Sequence, residues 1–284
     1  MNKNTVAHLN YLVIGHVTRD IHESGNTLGG TAAYSAVCAH ALGRTPAILT
    51  AGEKDHSLQE LDGFLIKWKD SPHSTTFENK ETNHGRKQIL HAIAEQLLPE
   101  DVPSDWRNSP IVHLGPVTGE VDPEIIDIFP NSFIGLTPQG WMRGKDENNV
   151  VHFHPWTHSD RLLQRADAVV LSIEDVMGNE NLIQSYADRT NILVVTEGHN
   201  GARVYWKGDV RHFSAPNVPV VDATGAGDIF SAAFFDRLET TRSPWESTRR
   251  AIQIASRSVT RVGLAGVPTA QEIRSFQIEV IEGK

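Results

Sequence analysis

A chain of 284 residues can bury one large α/β core or two small ones, and 39% hydrophobic with 21% charged residues describes a globular protein. A formal charge of -9 argues against general binding to nucleic acid or an anionic membrane, so an anionic ligand would need local backbone donors, a basic residue or a metal ion. The single cysteine, Cys38, excludes an intrachain disulfide. No apolar run approaches the ~20 residues of a membrane span, and the polar start MNKNTVAHLN is not a signal peptide, so a cytoplasmic location is expected.

Tyr11 to Gly15 reads as a first buried strand, followed by a polar stretch to Asn26. Leu28-Gly29-Gly30 then opens a helix through Val37, with Cys38 in its apolar stretch and Gly43 as its stop. No G-x-G-x-x-G occurs, and the loop before the glycines is too long for a dinucleotide turn, which disfavours a nicotinamide enzyme. Ala47–Gly52 is a second strand, and Ser57 to Trp68 has the spacing of an amphipathic helix with Leu58, Leu61, Phe64 and Leu65 inward. Ser74–Asn79 and Lys87–Leu90 flank an Asn/His/Gly turn and predict a hairpin-like excursion. Ile111–Pro116 and Phe133–Leu136 are further strands, with a short helix over Asp122–Phe129 between them. Ala168–Ser172 and Ile192–Thr196 are apolar, β-branched runs suited to a parallel sheet covered on both faces. A helix is expected from Trp245 to Val262.

The stretch that organises this pattern is Val221-Asp222-Ala223-Thr224-Gly225-Ala226-Gly227-Asp228. It lies between a Pro-punctuated extended run and an apolar helical segment from Ile229 to Leu238, so it reads as strand, glycine turn, helix. One reading is an ordinary capped helix, with Asp222 or Thr224 accepting from exposed N–H groups. The other is an anion site, because a helix start presents unpartnered N–H groups and glycines let a ligand approach the backbone. Asp228 favours the second: a carboxylate beside a phosphate costs affinity unless it does chemistry or a metal screens it. A base that takes the proton of an attacking alcohol meets that condition.

Asp-Ala-Thr-Gly-Ala-Gly-Asp resembles the C-terminal signature of the ribokinase-like (PfkB) carbohydrate kinases. The resemblance implies a three-layer α/β/α fold with a mainly parallel central sheet and a small β lid. The chain would be one domain over 1–284, with the lid from roughly 16–28 and 73–91. It further implies that Gly225, Ala226 and Gly227 form an anion hole and that Asp228 is the base. Asp20, Gly29 and Gly30 would line the acceptor site, with Asn79 and Arg86 reaching it from the lid; for Asp20 the alternative is an ordinary turn acid. Many members have Asn where this chain has Tyr34, which is assigned to the acceptor site and leaves acceptor identity open. Thr196, Gly198 and Gly201 are similar to the family's nucleotide-phosphate turn, joined by Thr224, and Gly263–Pro268 to the turn beside adenine. Glu174 is the candidate to organise Mg²⁺ through water, with Asp175 as the alternative. ATP and Mg²⁺ are the implied cofactors, and a small sugar or polyol the implied partner, in a monomer or homodimer. Gly-His-Val-Thr-Arg-Asp at 15–20 and Pro-Gln-Gly-Trp-Met-Arg at 138–143 are most similar to the myo-inositol-kinase-like branch. Rival readings are a nucleoside kinase and a non-catalytic sugar or nucleotide sensor. His152, His154 and His158 do not complete a zinc set, since no Cys or carboxylate joins them and Pro155 breaks the helix that would align two of them.

Overall fold

The buried runs become strands because their residues face two cores at once. In Tyr11–Ile14, Tyr11 and Val13 enter one apolar cluster while Leu12 and Ile14 enter another. Period-2 alternation between two apolar layers requires cover on both faces, which gives three layers. A computed structural model describes residues 8–22, 25–53, 59–82 and 85–276. In chain order its elements are β1 (Tyr11–Ile14), β2 (Thr18–His22), β3 (Gly25–Gly29), α1 (Thr31–Ala41), β4 (Pro46–Gly52), β5 (Leu65–Asp70), β6 (Thr76–Thr82) and β7 (Gly85–Ala92). There follow β8 (Ile111–Leu114), β9 (Phe133–Leu136), β10 (Arg143–Lys145), β11 (Val151–Phe153), α2 (Ser159–Arg165), β12 (Ala168–Ser172) and α3 (Glu180–Ala187). The last are β13 (Ile192–Thr196), β14 (Ala202–Trp206), β15 (Asp209–Phe213), α4 (Ala226–Thr241), α5 (Pro244–Ser258) and α6 (Ala270–Ser275).

The main sheet has 9 strands in the order β15-β14-β13-β12-β9-β8-β1-β4-β5. From β13 to β5 neighbouring strands run parallel, and the antiparallel β14–β15 hairpin closes one edge. Helices α1, α4 and α5 cover one face, with Ala32, Phe234 and Ile254 fully buried there. Helices α2 and α3 and several 3₁₀ turns cover the other through Leu162, Ile183 and Phe129. A second sheet of 4 strands, ordered β3-β2-β6-β7, stands at the carboxyl end of β1. Its place is set at Gly15, where an added Cβ would lie 2.2 Å from the Gly115 carbonyl oxygen, so the chain leaves β1 in backbone contact with the turn after β8.

Three expectations need correction, the first being the strand read before the glycine turn, because residues 214–222 form no strand and the run leads to α4 as extended coil. Ser57–Trp68 is not an amphipathic helix where it is described: a 3₁₀ turn covers Gln59–Leu61, and Leu65–Asp70 is strand β5. Gly63, at φ +89°, breaks any helix there, and Leu65 is 51% exposed on the outermost strand rather than inward. The helix foreseen over Trp245–Val262 starts at Pro244 behind the Ser243 cap and stops at Ser258, because backbone N–H groups of Val221 and Asp222 take the Val259 carbonyl. That capping contact fixes the entry to the glycine motif.

Gly15→Ala should therefore cost about 2–4 kcal/mol, since its methyl meets backbone that cannot rotate away. Urea unfolding should show a lower midpoint at unchanged slope; an unaltered midpoint would mean this junction is not tight.

Candidate active site

The glycine turn at 221–228 is held by one carboxylate. Asp222 accepts from the Thr224 N–H at 2.9 Å through one oxygen and from the Gly263 N–H at 2.9 Å through the other. It thus ties the anion turn to the 3₁₀ turn at Gly263–Gly266. Gly225 follows as N-cap of α4 at φ 75°, with no side-chain cap. An added Cβ at Gly225 would fall 2.3 Å from the Tyr34 ring, whereas one at Gly227 would meet nothing within 4 Å. The first turn of α4 is therefore supported from below by Tyr34 and left open at Gly227, the arrangement an anion needs at a helix start.

Asp228 occupies that first turn, partly buried. Burial pushes its carboxyl up to about 6, and a hydrogen bond from Thr31 and the charge of Arg143 oppose the rise, while Asp175 and Asp20 add to it. Thr31 is the first residue of α1, so Asp228 sits where the starts of α1 and α4 meet. Burial also raises the Tyr34 hydroxyl, helped by Asp222, Asp228 and Asp20.

On the α1 side, Asp20 is buried on β2 and its Oδ1 accepts from Thr18 Oγ1 at 3.0 Å. Glycine is required opposite it: a Cβ at Gly29 would lie 2.6 Å from Asp20 Oδ2, and one at Gly30, at φ +89°, would lie 2.4 Å from the His16 carbonyl oxygen. Asp20, Gly29, Gly30, Thr31 and Asp228 are thus one neighbourhood. Tyr34 is 2% exposed with its ring under Gly225, so it reaches the site from beneath. Asn79 pairs across the small sheet with Gln88, whose Nε2 donates to Oδ1 at 3.0 Å. Arg86 pairs in register with Glu81, and its side chain lies outside the described residues.

The other predicted turns lie at the carboxyl ends of parallel strands, where such sheets place ligands. Thr196 Oγ1 donates to the Leu171 carbonyl at 3.4 Å. Gly198 is open, at φ +57°, whereas Gly201 packs on the hairpin, since its Cβ would lie 1.9 Å from the Phe213 carbonyl oxygen. Glu174 is exposed in the 3₁₀ turn after β12. Its neighbour Asp175 accepts from the Ser172 N–H at 2.8 Å and from Gln139 Nε2 at 3.0 Å, and burial raises its carboxyl.

Two residues entered without being proposed from sequence, Thr31 and Arg143, while Asp175, foreseen only as the alternative to Glu174 for the metal, also bears on Asp228. Arg143 Nη1 donates to the Val117 carbonyl at 3.0 Å, and its guanidinium lies 5.7 Å from the Phe77 ring centroid. With Phe77, Leu90, Val117, Thr118 and Val151 it lines a cavity of about 100 Å³ between the small sheet and the body. For Thr31 the available signal was a hydroxyl directly after Gly-Gly; Arg143 gave none beyond its place in Pro-Gln-Gly-Trp-Met-Arg.

Comparison with known proteins places the fold. A pyrophosphate-dependent kinase of the ribokinase family, complexed with a pyrophosphate analogue and myo-inositol, superposes with a TM-score of 0.77 at 19% identity, over 93% of this chain and 99% of that one. Residues 165–270 match the family described as pfkB family carbohydrate kinase. The fold is ribokinase-like, and residues 165–270 are similar to the PfkB family. Among curated relatives, fructokinase of Escherichia coli is 31% identical over 190 residues, 60% of this chain and 62% of that protein. Inositol 3-kinase of Zea mays is 31% identical over 170 residues, 57% of this chain and 43% of that protein. The chain thus spans less than two thirds of the length of each of these relatives. The PfkB match includes Thr196–Gly201, Asp222 and Asp228; Asp20, Gly29, Gly30 and Arg143 lie outside it.

Gly225→Ala should lower stability by about 2 kcal/mol, part from positive φ and part from the Tyr34 ring. Adding Tyr34→Leu should recover the steric part only. If the double variant is no more stable than Gly225→Ala, the ring is not what Gly225 accommodates.

Proposed function

We propose that the protein is a kinase that transfers the γ-phosphoryl group of ATP to a hydroxyl of a small sugar or polyol, myo-inositol-like or ribose-like. The observation that carries this reading is Asp228: a desolvated carboxylate in the first turn of α4, beside backbone N–H groups that no side chain caps. A carboxyl held near 6 is mostly ionised at neutral pH yet basic enough to accept a proton during attack. The acceptor hydroxyl loses its proton to Asp228 as its oxygen bonds to the γ-phosphorus, and the bond from that phosphorus to the β–γ bridging oxygen breaks. Amides of the Gly225–Gly227 turn stabilise charge on the equatorial phosphoryl oxygens. Asp20 orients the acceptor, since a carboxylate accepts two hydroxyl hydrogen bonds. The small sheet acts as a lid that excludes water.

The donor's phosphates would face Gly198 and the α4 start, with Thr196 and Thr224 at the margins. Among the described residues no three His, Cys, Asp or Glu side chains converge as a metal cluster. That donor set fits Mg²⁺ carried mainly by donor phosphates and water, with Glu174 placed to reach it through water. When bound, the ion would offset phosphate charge beside Asp228. A second donor, pyrophosphate, is favoured by one specific observation: the likeness to a pyrophosphate-dependent kinase over nearly the whole chain. A nucleoside acceptor is less well supported, because Tyr34 lies beneath Gly225 and offers no open face to a base.

Asp228→Asn should reduce kcat by about 10²–10⁴-fold while calorimetry shows donor binding within a few-fold of wild type. Near-normal turnover would remove Asp228 as base. Assays crossing ATP and pyrophosphate with myo-inositol, fructose, ribose and nucleosides decide donor and acceptor, and no transfer in any combination would sink the kinase reading.

A further inference from the structure

The Asp222 carboxylate that holds the anion turn is itself held from further along the chain. Its partner, the Gly263 N–H, opens the 3₁₀ turn Gly263–Gly266, and one side chain fixes the other end of that turn. Arg261 Nη2 donates to the Gly266 carbonyl at 3.2 Å and to Glu272 Oε2 at 3.3 Å, and Nη1 donates to the same Oε2 at 3.3 Å. Glu272 stands in the first turn of α6, where Oε2 also accepts from the Thr269 N–H at 2.9 Å and Oε1 accepts from Arg257 Nη2 at 3.2 Å. The Thr269 N–H, opposed by burial and helped by Arg261, holds the Glu272 carboxyl down at about 2, so this contact stays ionic around neutral pH. A path of hydrogen bonds and one short turn thus leads from Glu272 through Arg261, Gly266, Gly263 and Asp222 to the Thr224 N–H.

Apolar packing does little at this junction, because Val221 and Val262, the residues just before Asp222 and Gly263, are both more than half exposed. Gly266, by contrast, is buried, and a Cβ on it would lie 2.7 Å from the Ser258 carbonyl oxygen, so the turn lies tight against the end of α5. Taking the guanidinium away leaves the carbonyl of a buried residue without its donor, a cost the turn relieves by moving toward water. We propose that Arg261 is a positioning residue for the donor end of the site: by bridging Gly266 and Glu272 it fixes the Gly263 N–H, and through it the Asp222 carboxylate that shapes the Gly225–Gly227 anion turn. The proposal deepens the kinase reading and rests on it for the ligand, the phosphate chain of the donor. A turn already in place binds an anion without an ordering cost. With Arg261 gone that cost falls on donor binding, while the complex once formed is unchanged, so the loss enters the donor KM and not kcat.

Two readouts test this. Amide hydrogen exchange of the full-length protein, followed by ¹H–¹⁵N NMR, needs no substrate. Arg261→Met should speed exchange at Gly263 and Thr224 by about tenfold while the amides of β1 exchange as in wild type. Arg261→Lys should speed it less, since one ammonium does not reproduce the guanidinium's fork, and Glu272→Gln should act in the same direction. In initial-rate assays with ATP or pyrophosphate and whichever of myo-inositol, fructose and ribose is phosphorylated, Arg261→Met should raise the donor KM about tenfold at unchanged kcat and acceptor KM. Unchanged exchange at Gly263 and Thr224 in Arg261→Met overturns the proposal. So does faster exchange throughout, β1 included, because Arg261 would then support the fold as a whole. Exchange that responds to Arg261→Met and not to Glu272→Gln overturns the link to α6. Faster exchange with a wild-type donor KM overturns the positioning role. Should Arg261→Met fail to fold, Arg261→Lys decides by the same criteria. A protein that transfers no phosphoryl group from either donor sinks the kinase reading, and the exchange result still decides the clamp.

Discussion

Everything at the site depends on two helix starts being held side by side. Helices α1 and α4 approach closely because their facing residues are small: Ala32, Ala33 and Ala36 on one, Ala232 and Ala233 on the other, all fully buried. The contact is keyed by polar atoms as well. Ser35 Oγ donates to the Asp228 carbonyl at 3.3 Å, and Cys38 Sγ lies 3.6 Å from the Ile229 carbonyl. At the far end Arg44 bonds Asp236 at 2.6 Å and Glu239 at 3.1 Å. Shallow contact here would separate Gly29 and Gly30 from Gly225–Asp228, and the site would be two unrelated loops.

That closeness has an electrostatic consequence. Asp175 and Asp20 both raise the Asp228 carboxyl through partly dry protein, where like charges repel strongly. The arrangement is tolerable because each is satisfied differently: Asp20 by the Thr18 hydroxyl, Asp175 by Ser172 and Gln139, Asp228 by Thr31 and the field of Arg143. What remains is a carboxyl poised near neutrality in an open helix start. A structural acid would be buried at lower cost if paired outright, as Asp222 is with two backbone N–H groups. Asp222 and Asp228 stand six residues apart in one motif, and their surroundings differ: the first is paired with two backbone N–H groups and the second lies in an open helix start.

Legibility varied with the locality of the signal. Strands β1, β4, β8, β9, β12 and β13 were readable because a two-sided apolar environment leaves a continuous β-branched run. Gly29, Gly30 and Gly225 were readable because each contact admits no Cβ, a constraint written at the residue itself. The segment at Ser57–Trp68 misled because Leu58, Leu61 and Leu65 fall at helical spacing, and a period-based reading gives too little weight to one Gly at positive φ. Glu174 and Asp175 could not be ranked from sequence: both occupy a first helical turn, and only the fold turns Asp175 toward Gln139 and leaves Glu174 exposed.

The amino-acid sequence by itself determined the layered α/β architecture, the position of the glycine turn and the acid placed in it. Periodicity and absent side chains are local properties that survive without the fold. Only the tertiary structure decided that Thr31, Arg143 and Asp175 join Asp228, and that Tyr34 supports the turn from below. Those residues come from α1, β10 and the turn after β12, distant in sequence. They meet because parallel strands bring their carboxyl ends to one edge of the sheet, and chain order carries no record of which side chains will share that edge.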